Sequence, residues 1–170
     1  NHLIHAARRN IGLKVFLVNN FIYGMTGGQV APTTPTGLNT ATTPYGNPEP
    51  PLRITELVAA AGADFAARWS TYHVNQLIKA MKTSLARPGF SFVEIVSQCP
   101  TSYGKFSKQR QAATALRYYK ENSVRFSKAQ SMSDEELEGK YVIGTHQDKQ
   151  RPEFAQLLEE LAQAKMAEGA

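Results

Sequence analysis

The sequence is poor in cysteine, in long apolar runs and in acidic residues. Its single cysteine, Cys99, cannot form a disulfide within the chain, which excludes a disulfide-stapled secreted scaffold and suits a reducing cytoplasm. No apolar stretch approaches the ~20 residues that a membrane-spanning helix requires. Residues 1–10 also lack the apolar core of a signal peptide. We therefore expect a cytoplasmic protein with no membrane partner.

The chain carries 19 Lys and Arg against 14 Asp and Glu, a net charge of +5. Much of this excess lies in residues 105–128, where a single acid, Glu121, stands among basic residues. The basic residues of that segment are Lys105, Lys108, Arg110, Arg117, Lys120, Arg125 and Lys128. Such a cluster can attract nucleic acid, an anionic cofactor or an acidic protein, and it can equally be a solvated surface.

Hydrophobic periodicity predicts alternating helices and strands. Apolar residues recur at helical spacing in some segments, and nearly continuous apolar runs in others indicate strands covered on both faces. The predicted helices are 2–9, 54–61, 72–86 and 107–122, and the predicted strands are 13–18, 63–69 and 90–96. This alternation predicts an α/β fold with a parallel sheet and flanking helices, in which ligands bind beyond the carboxyl ends of the strands.

We place the domain boundary after residue 122 and treat residues 123–170 as a helical C-terminal extension. Ser107 is the predicted N-cap of the basic helix. In the extension, Ser133 and Glu136 form a predicted capping box, and Pro152 stands at the predicted start of the last helix. We expect this extension to pack on the preceding domain or on a partner subunit.

The loop after the first predicted strand, "NNFIYGMTGGQVAPTTPTG" (19–37), has no helix or strand pattern. Asn19 and Asn20 offer side-chain oxygens of the kind that Mg²⁺ prefers. The glycines at 24, 27 and 28 can present backbone N–H groups to an anion. A cation-bridged diphosphate would suit this combination, but an ordinary tight surface turn has the same composition.

A resemblance to a known family gives this loop a more specific interpretation. "LKVFLVNNFIYGMTGGQVAPTTPTG", "TTPYGNP", "AGADFAARWSTYHVNQLIKAM" and "GFSFVEIVSQCPTSYGK" occur in the order found in the β subunits of 2-oxoacid:ferredoxin oxidoreductases. The sequence resembles these thiamine-diphosphate-binding subunits over nearly its whole length. The resemblance is strongest to the 2-oxoglutarate branch, since pyruvate-specific members tend to have a polar residue where Met25 stands.

The resemblance implies a role for several residues. Asn20 would give Mg²⁺ its side-chain oxygen, and Ile22 its backbone carbonyl. Gly24 and Met25 would line the diphosphate and the reactive thiazolium end, with Thr26 close by. His2 would be a neighbour of the same cofactor.

Cys99 resembles the fourth thiolate ligand of a [4Fe–4S] cluster in that family, although a lone cysteine is more often a small buried hydrophobe. No Gly-Asp-Gly, the family's source of a main Mg²⁺ ligand, precedes Asn20. We therefore expect a C-terminal portion of a β subunit, inactive by itself and lacking three cluster ligands. The activating glutamate would come from the partner α subunit, so no catalytic residue is assigned here.

The function implied is oxidative decarboxylation of a 2-oxoacid, with coenzyme A taking the acyl group and electrons passing through the cluster to ferredoxin. A cationic surface near Cys99, at Lys105, Lys108 and Arg110, could steer acidic ferredoxin. Two alternatives stay open: a basic module that binds nucleic acid through residues 105–128, and a structural subunit that has lost its chemistry. A further expectation is that Glu94, on a buried strand, is paired with Arg68.

Overall fold

The computed structural model describes residues 1–107 and 109–168. The strands are β1 (Lys14–Asn19), β2 (Ile22–Tyr23), β3 (Gln29–Val30), β4 (Phe65–Ser70), β5 (Ser91–Val96), β6 (Ser123–Arg125) and β7 (Tyr141–Asp148). The helices are α1 (His2–Arg9), α2 (Ile54–Ala60), α3 (Val74–Ala86), α4 (Tyr103–Ser107), α5 (Ala112–Glu121), α6 (Phe126–Ala129), α7 (Asp134–Leu137) and α8 (Phe154–Glu168).

The central sheet has five strands in the order β1-β5-β4-β7-β6. Strands β1, β5 and β4 are parallel, and their last residues, Asn19, Val96 and Ser70, are aligned in register. The carboxyl ends of three strands therefore meet at one edge, as the α/β interpretation predicts. The α/β class is confirmed, with one departure, because β7 runs antiparallel to β4.

Apolar residues cover both faces of this sheet. On one face Ala7 of α1 and Val58 of α2 pack with Ala66 and Phe92. On the other face a larger cluster is formed by the following side chains: Phe65, Trp69, Leu77, Val93, Tyr103, Tyr119, Tyr141 and Ile143. The side chains alternate between the faces along each strand, so β4 and β5 contribute to both clusters.

The prediction of strands covered on both faces holds for β5 and is wrong for β1. All residues of β5 except Ile95 are buried. Strand β1 is at the edge of the sheet and only half-buried, and Val18 is 63% exposed. Both strands have nearly continuous apolar sequences, and such a run does not distinguish a central strand from an edge strand.

The predicted basic helix 107–122 is two helices, α4 and α5. Ser107 is not the N-cap of α5; it lies at the end of α4, where its hydroxyl donates to the Tyr103 carbonyl at 2.8 Å. Gln111 occupies the N-cap position of α5 without a side-chain capping bond. Lys108 lies outside the described residues.

The C-terminal extension is not only helical, since β6 and β7 belong to the central sheet. The capping box is confirmed: Glu136 Oε2 accepts from the Ser133 N–H at 2.8 Å, and Ser133 Oγ accepts from the Glu136 N–H at 3.3 Å. The last helix begins at Phe154, two residues after Pro152. Packing of the extension on a partner subunit stays a prediction.

Helix α8 has 15 residues, and none of them is buried. The turn before it is firmly attached, because Arg151 pairs with buried Asp64 at 2.9 Å and Glu153 accepts from the Gly12 N–H at 3.0 Å. Among the described residues, no helix combines the length and the apolarity needed to cross a membrane.

Candidate cofactor site at the carboxyl edge of the sheet

Strand β1 ends in a tight turn that leads into a small hairpin. Asn20 Oδ1 accepts from the Ile22 N–H at 3.2 Å, and Phe21 between them has a left-handed backbone with φ of 64°. Strands β2 and β3 then pair antiparallel through Ile22–Val30 and Tyr23–Gln29. Residues 24–28 form the tip of this hairpin, directly above the carboxyl edge of the sheet.

Two oxygen atoms in this turn fit the predicted Mg²⁺ ligation. Asn20 Oδ1 accepts one hydrogen bond, from Ile22, and the Ile22 carbonyl accepts one, from the Gly24 N–H at 3.0 Å. Each oxygen therefore keeps a lone pair, and neutral amide oxygens are ligands that Mg²⁺ accepts. The described residues contain no group of three or more His, Cys, Asp and Glu side chains that could hold a metal ion.

The glycine N–H groups do not lie free, contrary to the sequence-based expectation. Gly24, Gly27 and Gly28 donate to the carbonyls of Ile22, Gly24 and Tyr23, at 3.0, 3.3 and 2.9 Å. The glycines serve the shape of the hairpin instead, with φ of 121° at Gly27 and 89° at Gly28, values that side chains with a Cβ rarely adopt. Within the described chain, the N–H groups of Met25 and Thr26 at the tip have no acceptor.

The other candidate cofactor neighbours are exposed. Met25 is 99% exposed. Thr26 is tied to Gln29, whose side chain accepts from the Thr26 hydroxyl and donates to its carbonyl, both at 2.7 Å. His2 is exposed at the start of α1, the end of that helix remote from the turn into β1. Its contact with a cofactor stays a prediction.

The structure brings the hairpin tip against Cys99. A Cβ placed on Gly24 would be 3.4 Å from the Cys99 Sγ and 3.4 Å from the Ser102 Oγ. Ser102 also donates to the Gly24 carbonyl at 3.3 Å. Cys99 itself is half-buried with a free thiol. The predicted cofactor loop and the predicted cluster ligand, 75 residues apart by number, are thus close in space.

A buried polar network lies beneath the hairpin. Glu94 is 2% exposed; it accepts from Asn19 Nδ2 at 2.8 Å and from the Thr55 hydroxyl at 2.6 Å, and lies 3.4 Å from Arg68 Nε. The predicted pairing with Arg68 is confirmed as an ion pair, although within the described part of the chain the Arg68 Nε has no acceptor in hydrogen-bond geometry.

Asn19, expected with Asn20 to offer a side-chain oxygen to Mg²⁺, instead uses its side chain in hydrogen bonds within the protein. Its Oδ1 accepts from the Phe21 N–H at 3.0 Å and from the Thr33 hydroxyl at 2.8 Å, while its Nδ2 donates to Glu94. It therefore links the sheet to both ends of the hairpin. No local sequence signal indicated the pairing with Glu94, because the two residues lie on different strands and are 75 residues apart.

The long loop from residue 31 to residue 53 is closed by hydrogen bonds. The buried Thr34 hydroxyl donates to the Phe21 carbonyl at 2.6 Å, and buried Asn47 donates to the Thr34 carbonyl at 2.9 Å. The Ala41 N–H donates to the Gly28 carbonyl at 2.9 Å, which folds the loop back against the hairpin. Its closing over a cofactor or meeting another subunit stays a prediction.

The basic residues of 105–128 do not form one continuous stripe. Arg125 stacks over the ring of Trp69 at 4.7 Å, and Lys120 lies 5.9 Å from the ring of Tyr72. Lys105 and Arg110 instead line an open cavity of about 430 Å³ beside α4, the helix that follows Cys99. Lys105 also lies 5.7 Å from the ring of Phe106, so packing on an aromatic ring does not distinguish it from Arg125 and Lys120; lining the cavity does.

Residues 1–95 match the model of the family described as "Thiamine pyrophosphate enzyme, C-terminal TPP binding domain". The chain belongs to this family. The hairpin with its two candidate Mg²⁺ ligands lies within the matched residues. The predicted resemblance to β subunits of 2-oxoacid:ferredoxin oxidoreductases is also confirmed by the comparisons that follow.

The chain is 49% identical over 161 residues to the 2-oxoglutarate synthase subunit KorB of Methanocaldococcus jannaschii, covering 95% of this chain and 60% of that protein. It is 50% identical over 154 residues to the protein of the same name from Methanothermobacter marburgensis, covering 91% of this chain and 54% of the relative. The chain thus spans little more than half the length of these curated relatives.

A solved structure has the same fold. It is described as 2-oxoglutarate:ferredoxin oxidoreductase from Magnetococcus marinus with 2-oxoglutarate, coenzyme A and succinyl-CoA bound. The TM-score is 0.78 at 26% identity, and the alignment covers 96% of this chain and 56% of that one. Nearly every described element, including the C-terminal extension, therefore lies within the shared fold.

Proposed function

We propose that this chain is the thiamine-diphosphate-binding part of the β subunit of a 2-oxoglutarate:ferredoxin oxidoreductase. The enzyme would convert 2-oxoglutarate and coenzyme A to succinyl-CoA and CO₂ and pass two electrons through a [4Fe–4S] cluster to ferredoxin. The observation that carries the proposal is the position of Gly24 beside Cys99, where a side chain at Gly24 would meet the Cys99 Sγ. This contact would put the electron source and the first electron acceptor side by side.

The residues of the turn fit the cofactor. Asn20 Oδ1 and the Ile22 carbonyl would hold Mg²⁺, and the N–H groups of Met25 and Thr26 would donate to the diphosphate. When bound, thiamine diphosphate supplies the carbanion that attacks the 2-oxo carbon and accepts the electron pair released with CO₂. The α subunit would supply the glutamate that activates it.

The protein's own contribution is orientation. Glu94 and Asn19 hold the turn rigidly on the sheet, so the Asn20 and Ile22 oxygens keep one position relative to each other. Outer-shell hydrogen bonds of this kind fix the direction of metal ligands. Cys99 would ligate the cluster as a thiolate, together with three further cysteines from outside residues 1–170.

The metal and cofactor assignment is tested by Asn20→Ala in the full heteromeric enzyme. We expect the affinity for thiamine diphosphate with Mg²⁺ to fall about 10- to 100-fold, because a ligand is lost. Asn39→Ala is the matched control, since Asn39 is exposed and donates only to the Pro44 carbonyl in the same loop. Unchanged cofactor binding in Asn20→Ala would refute the assignment and favour a structural subunit.

The partner assignment is tested at the cavity beside α4. In Lys105→Glu with Arg110→Glu we expect kcat/KM for ferredoxin to fall and its dependence on ionic strength to weaken, because the attraction to an acidic partner is reversed. Lys120→Glu is the control, since Lys120 lies near the Tyr72 ring and is not among the residues that line this cavity. An unchanged salt dependence would contradict the proposed docking.

A further inference from the structure

The backbone of Phe21 is left-handed, with φ of 64°. Among the described residues, Asn10 is the only other residue besides glycine with a positive φ, and it follows the end of a helix, where asparagine often adopts this conformation. A bulky aromatic residue is disfavoured there because its Cβ crowds the neighbouring carbonyl oxygen. Backbone strain of this kind persists only where surrounding groups hold it, and it clusters at ligand sites. The contacts of Phe21 must therefore keep it left-handed.

The ring of Phe21 packs against two tyrosines from distant parts of the chain. Phe21 is 3% exposed, and its ring centroid lies 5.4 Å from that of Tyr103 and 5.6 Å from that of Tyr141. Tyr103 begins α4, and Tyr141 begins β7 in the C-terminal extension. Rotating the backbone away from its left-handed conformation would take the ring out of this packing and leave a cavity, which is unfavourable. The extension therefore supports the turn at the end of β1 as well as completing the sheet.

Both polar groups of the Phe21 backbone are bound by side chains. Its N–H donates to Asn19 Oδ1 at 3.0 Å, and its carbonyl accepts from the Thr34 hydroxyl at 2.6 Å. Thr34 is buried, and its hydroxyl oxygen also accepts from the Ala31 N–H at 2.8 Å. Thr34 therefore fixes the Phe21 carbonyl from the loop 31–53, while Asn19 fixes the N–H from the sheet.

The conformation of Phe21 determines how the two candidate Mg²⁺ ligands lie relative to each other. The hydrogen bond from the Ile22 N–H to Asn20 Oδ1 spans Phe21, so it forms only when the chain turns back at that residue. Rotation about the Phe21 backbone would move the Ile22 carbonyl relative to the Asn20 side chain. The two oxygens therefore keep one arrangement only while Phe21 stays left-handed.

We propose that Phe21 is the positioning residue of the metal turn, residues 20–22, and that Thr34 locks it in the left-handed conformation. This inference rests on the proposed function and adds two residues that set the affinity for the cofactor without touching it. A turn held in its binding conformation loses no affinity to rearrangement, whereas a turn that is only fractionally in that conformation binds more weakly in proportion. Through Thr34, the loop 31–53 affects cofactor binding without having to close over the cofactor.

The first test compares Thr34→Val with Thr34→Ser in the full heteromeric enzyme after removal of the cofactor. Mn²⁺ is the probe in place of Mg²⁺, and electron paramagnetic resonance of free Mn²⁺ gives its dissociation constant in the presence of thiamine diphosphate. Valine has the shape of threonine without the hydroxyl, so we expect the dissociation constant to rise about tenfold, as for a turn that is competent about a tenth of the time. Serine keeps the hydroxyl and should bind Mn²⁺ as the wild type does.

Thr36→Val is the matched control for the loss of a hydroxyl. The Thr36 hydroxyl lies in the same loop but at the surface, where it donates to the Glu49 carbonyl at 2.9 Å. This variant should leave the dissociation constant unchanged. A lower melting temperature in Thr34→Val with an unchanged dissociation constant would show that Thr34 only stabilises the loop, and it would overturn the proposal.

The second test compares Phe21→Ala with Phe21→Gly. Both variants lose the ring and leave nearly the same cavity, but glycine alone adopts the left-handed backbone without strain. We expect both to bind Mn²⁺ with thiamine diphosphate more weakly than the wild type, and Phe21→Ala about fivefold more weakly than Phe21→Gly. Equal binding by the two variants, or weaker binding by Phe21→Gly, would assign Phe21 to core packing and overturn the proposal. Should neither variant fold, the Thr34 comparison decides alone.

The outcomes distinguish this inference from the proposed function. An unchanged Mn²⁺ affinity in Asn20→Ala overturns the metal assignment and the inference together. Weakened binding in Asn20→Ala with wild-type binding in Thr34→Val overturns the inference alone. Weakened binding in both variants, with recovery in Thr34→Ser, supports both.

Discussion

Loop 31–53 is irregular but partly buried, whereas helix α8 is regular but has no buried residue. Regular secondary structure and stability therefore do not coincide in these two segments. The loop contains no helix or strand, yet Thr34, Thr40 and Asn47 are buried and hydrogen-bonded within it. Helix α8 is regular over 15 residues and buries none of them. An isolated helix of this length is only marginally stable in water. Hydrogen bonding and burial, rather than regular secondary structure, therefore determine which of the two segments is held in place.

The largest loss of stability should come from removing Glu94, the buried carboxylate that binds Asn19 at the base of the loop. Glu94→Ala leaves the Arg68 charge and the amide of Asn19 without their partner, and breaking a buried ion pair in this way costs about 3–5 kcal/mol. Urea denaturation of the full complex measures the loss. Glu56→Ala is the control, since Glu56 pairs with Arg53 at the surface. Equal effects of the two variants would show that the network does not hold the loop.

Within the loop, Asn47→Ala should be the most damaging single amide change. Asn47 is 4% exposed, donates to the carbonyls of Thr34 and Glu49 at 2.9 and 3.1 Å, and accepts from the Glu49 N–H at 3.2 Å. We expect a loss of about 2 kcal/mol in the free energy of unfolding. Asn39→Ala, with one exposed hydrogen bond, should cost less than about 0.5 kcal/mol.

The pH dependence of stability tests His146, a side chain of the central sheet, and so concerns neither loop 31–53 nor helix α8. His146 stacks on Phe126 at 4.3 Å, and neither of its ring nitrogens has a hydrogen-bond partner among the described residues. Burial, and then the charge of Arg68, lower its pKa to about 4, against weaker opposite effects of the Val142 backbone and of Glu94. The unfolded chain therefore binds a proton more readily than the folded one between about pH 6.5 and pH 4.

Stability should accordingly fall as the pH falls through this window. Between pH 7 and pH 4 the protonation of His146 in the unfolded chain should lower the free energy of unfolding by about 3 kcal/mol, from about 1.4 kcal/mol per pKa unit. This contribution is isolated by measuring the free energy of unfolding of the wild type and of His146→Gln from pH 7 to pH 4 and taking the difference. A difference that is independent of pH would contradict the expected burial of the neutral ring.

The smallest effect on stability should come from α8. Leu158 is 51% exposed, so Leu158→Ser should change the free energy of unfolding by less than about 0.5 kcal/mol, whereas Val58→Ala in the core should cost more than 1 kcal/mol. Thermolysin should cleave the separated subunit at the leucines of α8 before it cleaves at Leu38 in the loop. Earlier cleavage at Leu38 would reverse the comparison.

The sequence was a good guide where one local pattern determines the structure. The apolar run of β5, the stripe of α3 and the capping box at Ser133 depend on neighbours a few residues away, and each was predicted. The metal and cofactor roles at the end of β1 stay predictions that come from the resemblance to a family, because a surface turn can have the same composition.

The features that the sequence did not predict share one physical cause. Each depends on contacts between residues that are far apart in the sequence. Strand β7 contains Gly144 and a bulge between the partners of Ala66 and Ala67, so its alternation is broken and its sequence does not read as a strand. The edge position of β1 depends on which strands pair, which its own residues do not specify. Likewise, nothing near Asn19 in the sequence indicates that Glu94 would be its partner.

The antiparallel pairing of β7 with β4 has a consequence for the order of synthesis. Strand β4 ends at Ser70, and β7, one of its two neighbours in the sheet, begins only at Tyr141. At ~5–20 residues per second, one side of this central strand is without its partner for roughly 4–15 seconds on the ribosome. During that interval its unpaired backbone is open to other nascent chains, so a chaperone that binds extended segments should engage the protein there.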